Sequence, residues 1–254
     1  MIDLTSKVAL VTGSSRGIGR ASAIQLARAG ANVIVNYVAS RNAAIETARE
    51  IRSMGRRAWV VKADVSEEED VEEMVDFVQR EIGQLDILVS NAATGGFRHL
   101  LDSRAKHFEH AMAINVISLI HLAKAAKPLL IQGPHRGKII AISSQGADIA
   151  LPMYGLIGSS KAALESVARH LTLELGDLGV NINVVKAGLV DTDSTRRLPQ
   201  ADAMFAGRTK KSMMGTRVLL DSDVADAVVF LASPMSDLIQ GQIITVDGGA
   251  AIHV

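Results

Sequence analysis

Cysteine is absent from the 254 residues, which excludes disulfides, thiolate metal sites and a cysteine nucleophile. A reducing cytoplasm is the expected compartment, and the first residues agree. Asp3 stands where a signal peptide has its basic region, and only Val8 to Val11 follow as an apolar run. Aromatics are scarce at 3%, too few for a platform that stacks bases. An excess of charge of one sign is also missing, 27 basic side chains facing 27 acidic ones, so no field gathers nucleic acid or an anionic membrane. Neither is an expected partner. Unbroken apolar runs fall short of the roughly 20 residues that span a bilayer. The seven histidines show no metal-ligand spacing, and His107 with His110 read as a solvated helix surface.

What the chain does have is apolar content, 48% of its residues, enough to exclude disorder and to fill the core of a single α/β domain spanning residues 1–254. Short β-branched runs alternate with segments of helical period. The pattern predicts strands over Val8–Val11, Asn32–Tyr37, Arg57–Lys62, Leu85–Val89, Lys138–Ile142, Val180–Val185 and Gln242–Val246. It predicts helices over Ile18–Arg28, Arg41–Met54, Glu67–Ile82, Arg104–Leu130 broken at Pro128, Tyr154–Leu175 and Asp221–Leu231. Seven strands joined by helical crossovers imply a Rossmann-like, doubly wound parallel sheet with helices on both faces. Ser66 reads as the cap of the acid-rich turn Glu67-Glu68-Glu69-Asp70.

Residues 188–217, with Pro199, Gly207 and Gly215, read as one irregular substrate-covering loop. Its Leu189, Leu198, Met204, Phe205, Met213 and Met214 suit either a flexible apolar cover for an acyl chain or ordinary packing. Its Arg196, Arg197, Arg208, Lys210 and Lys211 suit an acidic carrier protein or a solvated basic face.

The first strand runs into Thr12-Gly13-Ser14-Ser15-Arg16-Gly17-Ile18-Gly19, and then a helix begins. A phosphate needs open backbone N–H groups at a helix N-terminus, and glycine lets the chain turn and approach without a Cβ. The bland alternative is a tight turn with a helix cap. Position in a first βαβ unit favours a dinucleotide held by Gly13, Ser15, Arg16, Gly17, Ile18 and Gly19. A carboxylate at the end of the second strand would bind ribose hydroxyls and repel a 2′-phosphate. The chain has Asn36, then Ser40 and Arg41. With Arg16 and Arg41 able to meet phosphate, NADPH is expected over NADH, although Arg41 also fits a solvated helix start.

With these motifs in view, the sequence is similar to the short-chain dehydrogenase/reductases over essentially its whole length. The resemblance rests on Thr12 to Gly19, Ala63-Asp64-Val65, Asn91-Ala92-Ala93, Asn115, Ile142-Ser143-Ser144, Ser160-Lys161-Ala162-Ala163-Leu164 and Val246-Asp247-Gly248-Gly249. It implies that Asp64 and Val65 face the adenine and that Asn91, Ala92 and Ala93 line the cofactor. It also implies that Val190 and Thr192 hold the nicotinamide amide and phosphate, that Lys161 bonds the nicotinamide ribose, and that Asn115 holds a water near Lys161. A homotetramer is implied in the same way.

Most members of that family carry a tyrosine four residues before the lysine, but position 157 is Ile157. Tyr154 precedes Lys161 by seven, and the chain's other tyrosine is Tyr37. This spacing resembles the enoyl-acyl-carrier-protein reductases, and Lys186-Ala187-Gly188 with Val190-Asp191-Thr192-Asp193 resembles their type III, FabL-like branch. Many enoyl reductases have a second tyrosine where this chain has Ser144, which can bond the reacting oxygen or Tyr154, or simply serve a strand-end turn.

The spacing has a chemical consequence. On a helix seven residues turn through about 700°, which puts Tyr154 and Lys161 on one face about 10 Å apart, and the phenol enters about 4.5 Å earlier than in the common pattern. In a ketone reductase the proton donor stands beside the carbon that takes the hydride. In an enoyl thioester the hydride adds to C3 and charge develops on the C1 oxygen, so a displaced donor is the fitting one. The Lys161 ammonium is expected to lower the Tyr154 pKa. The expected activity is NADPH-dependent reduction of a trans-2-enoyl thioester on acyl carrier protein, in fatty-acid or related synthesis. A short-chain ketoreductase and a non-catalytic NADPH-binding protein are the alternatives.

Overall fold

In the computed structural model, residues 2–193, 195–198 and 200–252 are described; Pro199 of the 188–217 stretch lies outside them. Seven parallel strands form one sheet: β1 (Val8–Val11), β2 (Asn32–Tyr37), β3 (Ala58–Lys62), β4 (Ile87–Ser90), β5 (Gly137–Ser144), β6 (Val180–Ala187) and β7 (Ile243–Val246). Their order is β3-β2-β1-β4-β5-β6-β7, the doubly wound arrangement that seven apolar strands with helical crossovers require.

Successive residues of each strand serve opposite layers. Val8 and Leu10 join one apolar cluster, Ala9 and Val11 the other. The first layer packs the sheet against α3 (Glu68–Glu81), α5 (Ser118–Leu130) and α6 (Gly155–Leu175) through Val71, Met74, Leu119, Leu122, Leu164 and Ala168. The second uses α1 (Gly17–Arg28), α2 (Arg41–Ser53) and α8 (Asp221–Ala232), with Leu26, Ile51 and Val228 buried.

Four local expectations change. Pro128 does not break its helix, because it sits in the last turn of α5. Ser66 does not cap α3; its hydroxyl donates to Asp64 at 2.7 Å, and Glu67 is the residue before the helix. The 188–217 stretch is not irregular throughout, since α7 (Ala201–Lys211) lies within it without burying any residue. Between α4 (Ala105–Met112) and α5 the chain widens into a π-helical turn over Ala113–Ile117. The helical stretch Ala105–Leu130 is, among the described residues, the one long and apolar enough to cross a membrane. It reaches that length across interruptions such as His121 and Lys124, and half of its most apolar window is buried.

β5 and β6 extend two residues beyond their apolar runs, so that Ser143 pairs with Lys186 and Ser144 with Ala187. This extension carries side chains to the edge where the site lies.

A Cβ at Gly19 would stand 2.4 Å from Asn91 Nδ2 and 2.5 Å from the Gly13 carbonyl. Gly19→Ala is therefore expected to cost about 1–3 kcal/mol and to lower the thermal unfolding midpoint by several degrees, by about 2–4 °C per kcal/mol in a domain of this size. Differential scanning calorimetry checks it.

Candidate active site

The strand order reverses between β1 and β4, and their carboxyl ends open a crevice there, the usual ligand position in such sheets. Thr12 closes its floor. Its hydroxyl oxygen accepts the N–H groups of Asn91 and Ala92 at 2.9 and 3.0 Å. Asn91 Nδ2 donates back to the Thr12 carbonyl at 2.9 Å and reaches that of Gly13 at 3.3 Å. From the other side, Asn36 accepts the Gly13 N–H at 3.0 Å and donates to the Ala63 carbonyl at 3.1 Å. The Asn36 amide and the Asn91 Nδ2 are thus bonded to backbone, and both side chains brace the glycine turn.

The braced turn fits a pyrophosphate. Gly13 has φ +61°, a left-handed conformation that side chains resist. Arg16 precedes the first turn of α1, whose opening N–H groups have no partner within the helix and carry partial positive charge. Ser15, Gly17 and Ile18 are half-buried at this rim and Arg16 is exposed. Thr192 stands opposite, its methyl 3.4 Å from where a Gly17 Cβ would lie. Its hydroxyl sits 3.0 Å from that of Thr195, which donates to the carbonyl of buried Val190 at 2.6 Å. At the end of β2, Ser40 is half-buried and Arg41 exposed. Asp64 accepts from the Ser66 N–H at 3.0 Å, beside buried Val65. Ala92 is half-buried and Ala93 exposed.

Ser144, at the end of β5, and Tyr154, just ahead of α6, meet at the reaction side. The Tyr154 hydroxyl donates to Ser144 Oγ at 3.1 Å, and Phe97 stacks on the phenol with ring centroids 6.1 Å apart. Phe97 carried no signal in the sequence beyond being aromatic. Tyr154 and Ser144 are not joined by Lys161. The Lys161 ammonium donates to the Ile142 carbonyl at 2.7 Å, and α6 begins at Gly155, so Tyr154 lies outside the helical face that the spacing assumed. This corrects the expected effect on the phenol: burial pushes the Tyr154 pKa up, the Ser144 bond opposes it, and Lys161 does not enter. Burial takes Lys161 down to about 8.

Ile157 is buried with its Cγ1 2.1 Å from where a Gly95 Cβ would be. The position that holds tyrosine in the common pattern is thus an apolar contact against a backbone with no side chain. Asn115, in the π-helical turn, accepts the Thr94 N–H and donates to the Thr94 carbonyl and Ser160 Oγ, each at 2.8 Å. Its amide makes the backbone bonds that a buried amide needs, and the π-helical widening admits it.

A cavity of about 520 Å³ beside Tyr154 is lined by Arg98, Leu100, Asp148, Leu151 and Met153, among others. His107 is half-buried, its ring meeting Arg98 Nη1 at 3.2 Å, while His110 is exposed. A second cavity is lined by Leu189, Phe205 and Met214, whereas Leu198 is buried in the core and Met213 is exposed. The basic set there is partly spent: Arg196 pairs with Asp191 and Asp202, and Arg208 reaches the Ala250 carbonyl at 3.3 Å.

A dinucleotide cradle beside a hydrogen-bonded phenol and a buried lysine defines an oxidoreductase of the nicotinamide-dependent kind. The chain belongs to the short-chain dehydrogenase/reductase family: the family model described as "Enoyl-(Acyl carrier protein) reductase" matches residues 13–251. It is 36% identical over 251 residues to 1-cyclohexenylcarbonyl-CoA reductase of Streptomyces collinus, covering 97% of this chain and 87% of that one. It is 36% identical over 260 residues to versicolorin reductase 1 of Dothistroma septosporum, covering 97% of each. A short-chain dehydrogenase from Burkholderia cenocepacia crystallised with NADP superposes with TM-score 0.87 at 34% identity, over 97% of this chain and 98% of that one.

Only two tyrosines are present, so Tyr37→Phe isolates Tyr154. Its tyrosinate absorbance at 295 nm is expected to rise with a midpoint above 10, the direction that burial dictates. A midpoint below 10 in the folded, ligand-free protein contradicts the geometry.

Proposed function

We propose that the protein reduces a trans-2-enoyl thioester with NADPH. The observation that carries this reading is the displaced phenol: Tyr154 bonded to Ser144, with Ile157 sealed against Gly95 at the position where the family's ketone reductases hold their acid. When bound, NADPH supplies the hydride. Tyr154, held protonated by burial, gives a hydrogen bond or its proton to the thioester oxygen, where charge accumulates. Ser144 fixes the direction of that phenol. Lys161 is the cation that bonds the nicotinamide ribose from the cleft floor, and Arg16 with Arg41 meets the 2′-phosphate. The name of the Streptomyces relative describes an unsaturated acyl thioester, in line with this substrate class. Acyl carrier protein as the substrate's carrier, a place in fatty-acid or related synthesis, a homotetramer and a cytoplasmic location belong to the same proposal.

A ketoreductase is the second reading, because a serine bonded to a tyrosine at 3.1 Å also suits a carbonyl oxygen, and versicolorin reductase 1 is a relative. NADPH oxidation followed with crotonyl-CoA and with acetoacetyl-CoA separates the two. Crotonyl-CoA is expected to turn over, and Tyr154→Phe to lower its kcat by about 10²–10⁴-fold with little change in NADPH binding. Turnover of the ketone alone establishes the second reading, and no turnover of either substrate the non-catalytic one.

Arg41→Ala is expected to weaken NADPH binding by about 10-fold or more and to leave NADH unaffected, since a charge-assisted bond to the 2′-phosphate contributes about 1.5–3 kcal/mol. Titration of each cofactor's fluorescence measures the difference.

A further inference from the structure

β6 ends with a lysine inside the protein. Lys186 and Ser143 are register partners on β6 and β5, and both side chains are buried. A buried ammonium must be compensated, and two carboxylates meet it. Lys186 Nζ is 3.1 Å from Glu165 Oε1 and makes a closer contact with Asp148. The Ser143 hydroxyl donates to the same Glu165 oxygen at 2.5 Å. Glu165 is buried as well, and it follows Lys161 by four residues on α6, the interval that makes two side chains neighbours on one face.

Lys161 has no carboxylate within ion-pair distance among the described residues; its ammonium is spent on the Ile142 carbonyl. Glu165, from its own helix, is the charged group that acts on it; Lys186 from β6 and, beyond it, Asp148 from the turn after β5 follow through Glu165, and the Tyr154 phenol bonds Ser144 instead. β5 and the π-helical turn bring Ile142, Ser143 and Asn115, which carry no charge. Glu165 is therefore ion-paired with Lys186 and lies one helical turn from Lys161, and Asp148 links Lys186 to the wall of the Tyr154 cavity.

We propose that Glu165, fixed by Lys186 and Ser143, is a positioning residue that maintains the charge of Lys161, with Lys186 as its counterweight. The inference rests on the reading of Lys161 as the group that bonds the nicotinamide ribose. The signs follow from electrostatics. Burial lowers the Lys161 pKa and the Glu165 carboxylate raises it. Neutralising Glu165 removes the upward pull, so Lys161 loses its proton at lower pH. Removing the Lys186 charge frees Glu165 for Lys161 and removes a repelling cation, so the proton is kept to higher pH.

The test is NADPH binding by fluorescence as a function of pH, with the reductase rate in parallel, for wild type, Glu165→Gln, Glu165→Asp and Lys186→Met. Wild-type binding is expected to weaken with a midpoint near the Lys161 value of about 8. Glu165→Gln is expected to move that midpoint down by on the order of 1 pH unit. Lys186→Met moves it up, and Glu165→Asp stays close to wild type. A merely structural pair lowers the melting temperature of both variants without opposite shifts, and two shifts of one sign, or none, overturn the proposal. If Glu165→Gln does not fold, Lys186→Met decides alone: an upward shift supports the proposal and an unmoved midpoint overturns it. Lys161→Met separates the layers. If it leaves the alkaline weakening intact, the ribose reading fails and the proposal with it; if it abolishes the weakening while the Glu165 and Lys186 variants leave it unmoved, the proposal alone fails.

Discussion

Everything at the cofactor end depends on how closely the turn after β1 approaches the loop after β4. A side chain at position 19 would occupy the space of the Asn91 amide, so the helix α1 can reach the crevice only through glycine. The Thr12 hydroxyl, accepting two N–H groups from that loop, holds the approach from beneath, and Asn36 holds it from β2. These side chains are consumed in bracing. What the turn offers a ligand is backbone: N–H groups at a helix start, with no Cβ above them. The side chains that remain at the rim are Arg16, Ser40, Arg41 and Thr192.

The reaction end is governed by a different constraint, the exclusion of a side chain at Gly95. Ile157 packs into the space above it, so the position that carries tyrosine in the common pattern is filled by an apolar contact. The phenol comes instead from the residue ahead of the helix, where backbone geometry is set by Met153 in the left-handed region at φ +58° and the ring is set by Phe97 and Ser144. The stack with Phe97 and the bond to Ser144 fix the ring in the ligand-free protein.

The sheet was legible because each strand is an apolar run between turn signals, and burial on both faces leaves no other way to use Val33-Ile34-Val35 or Ile139-Ile140-Ala141-Ile142. The ends of β5 and β6 were not, because Ser143, Ser144 and Lys186 are polar; the backbone ladder continues through them, with Glu165 meeting the buried Ser143 and Lys186 side chains. α7 was hidden for the opposite reason: it buries no residue, so it has no apolar stripe for periodicity to find. In the site, glycines and the Tyr154–Lys161 spacing marked the right segments, yet spacing could not show that α6 starts one residue after Tyr154. Nor could it show that the phenol bonds Ser144 while the ammonium bonds the Ile142 carbonyl. The roles of Asn36 and Asn91 were equally invisible, since an amide reads the same whether it faces a ligand or a carbonyl.

The two halves of the site meet in the charge balance beneath them. Lys161 lies buried on α6 and Asp148 at the wall of the Tyr154 cavity, and Lys186 contacts both Glu165 and Asp148. In water such a row of charges is screened within a few residues, but here three of the four side chains are buried, and interactions in that setting are stronger than at a surface. Lys186 joins Glu165 on α6 to Asp148 at the cavity wall, a connection that Lys161 and Tyr154 do not make directly, because they point to different partners.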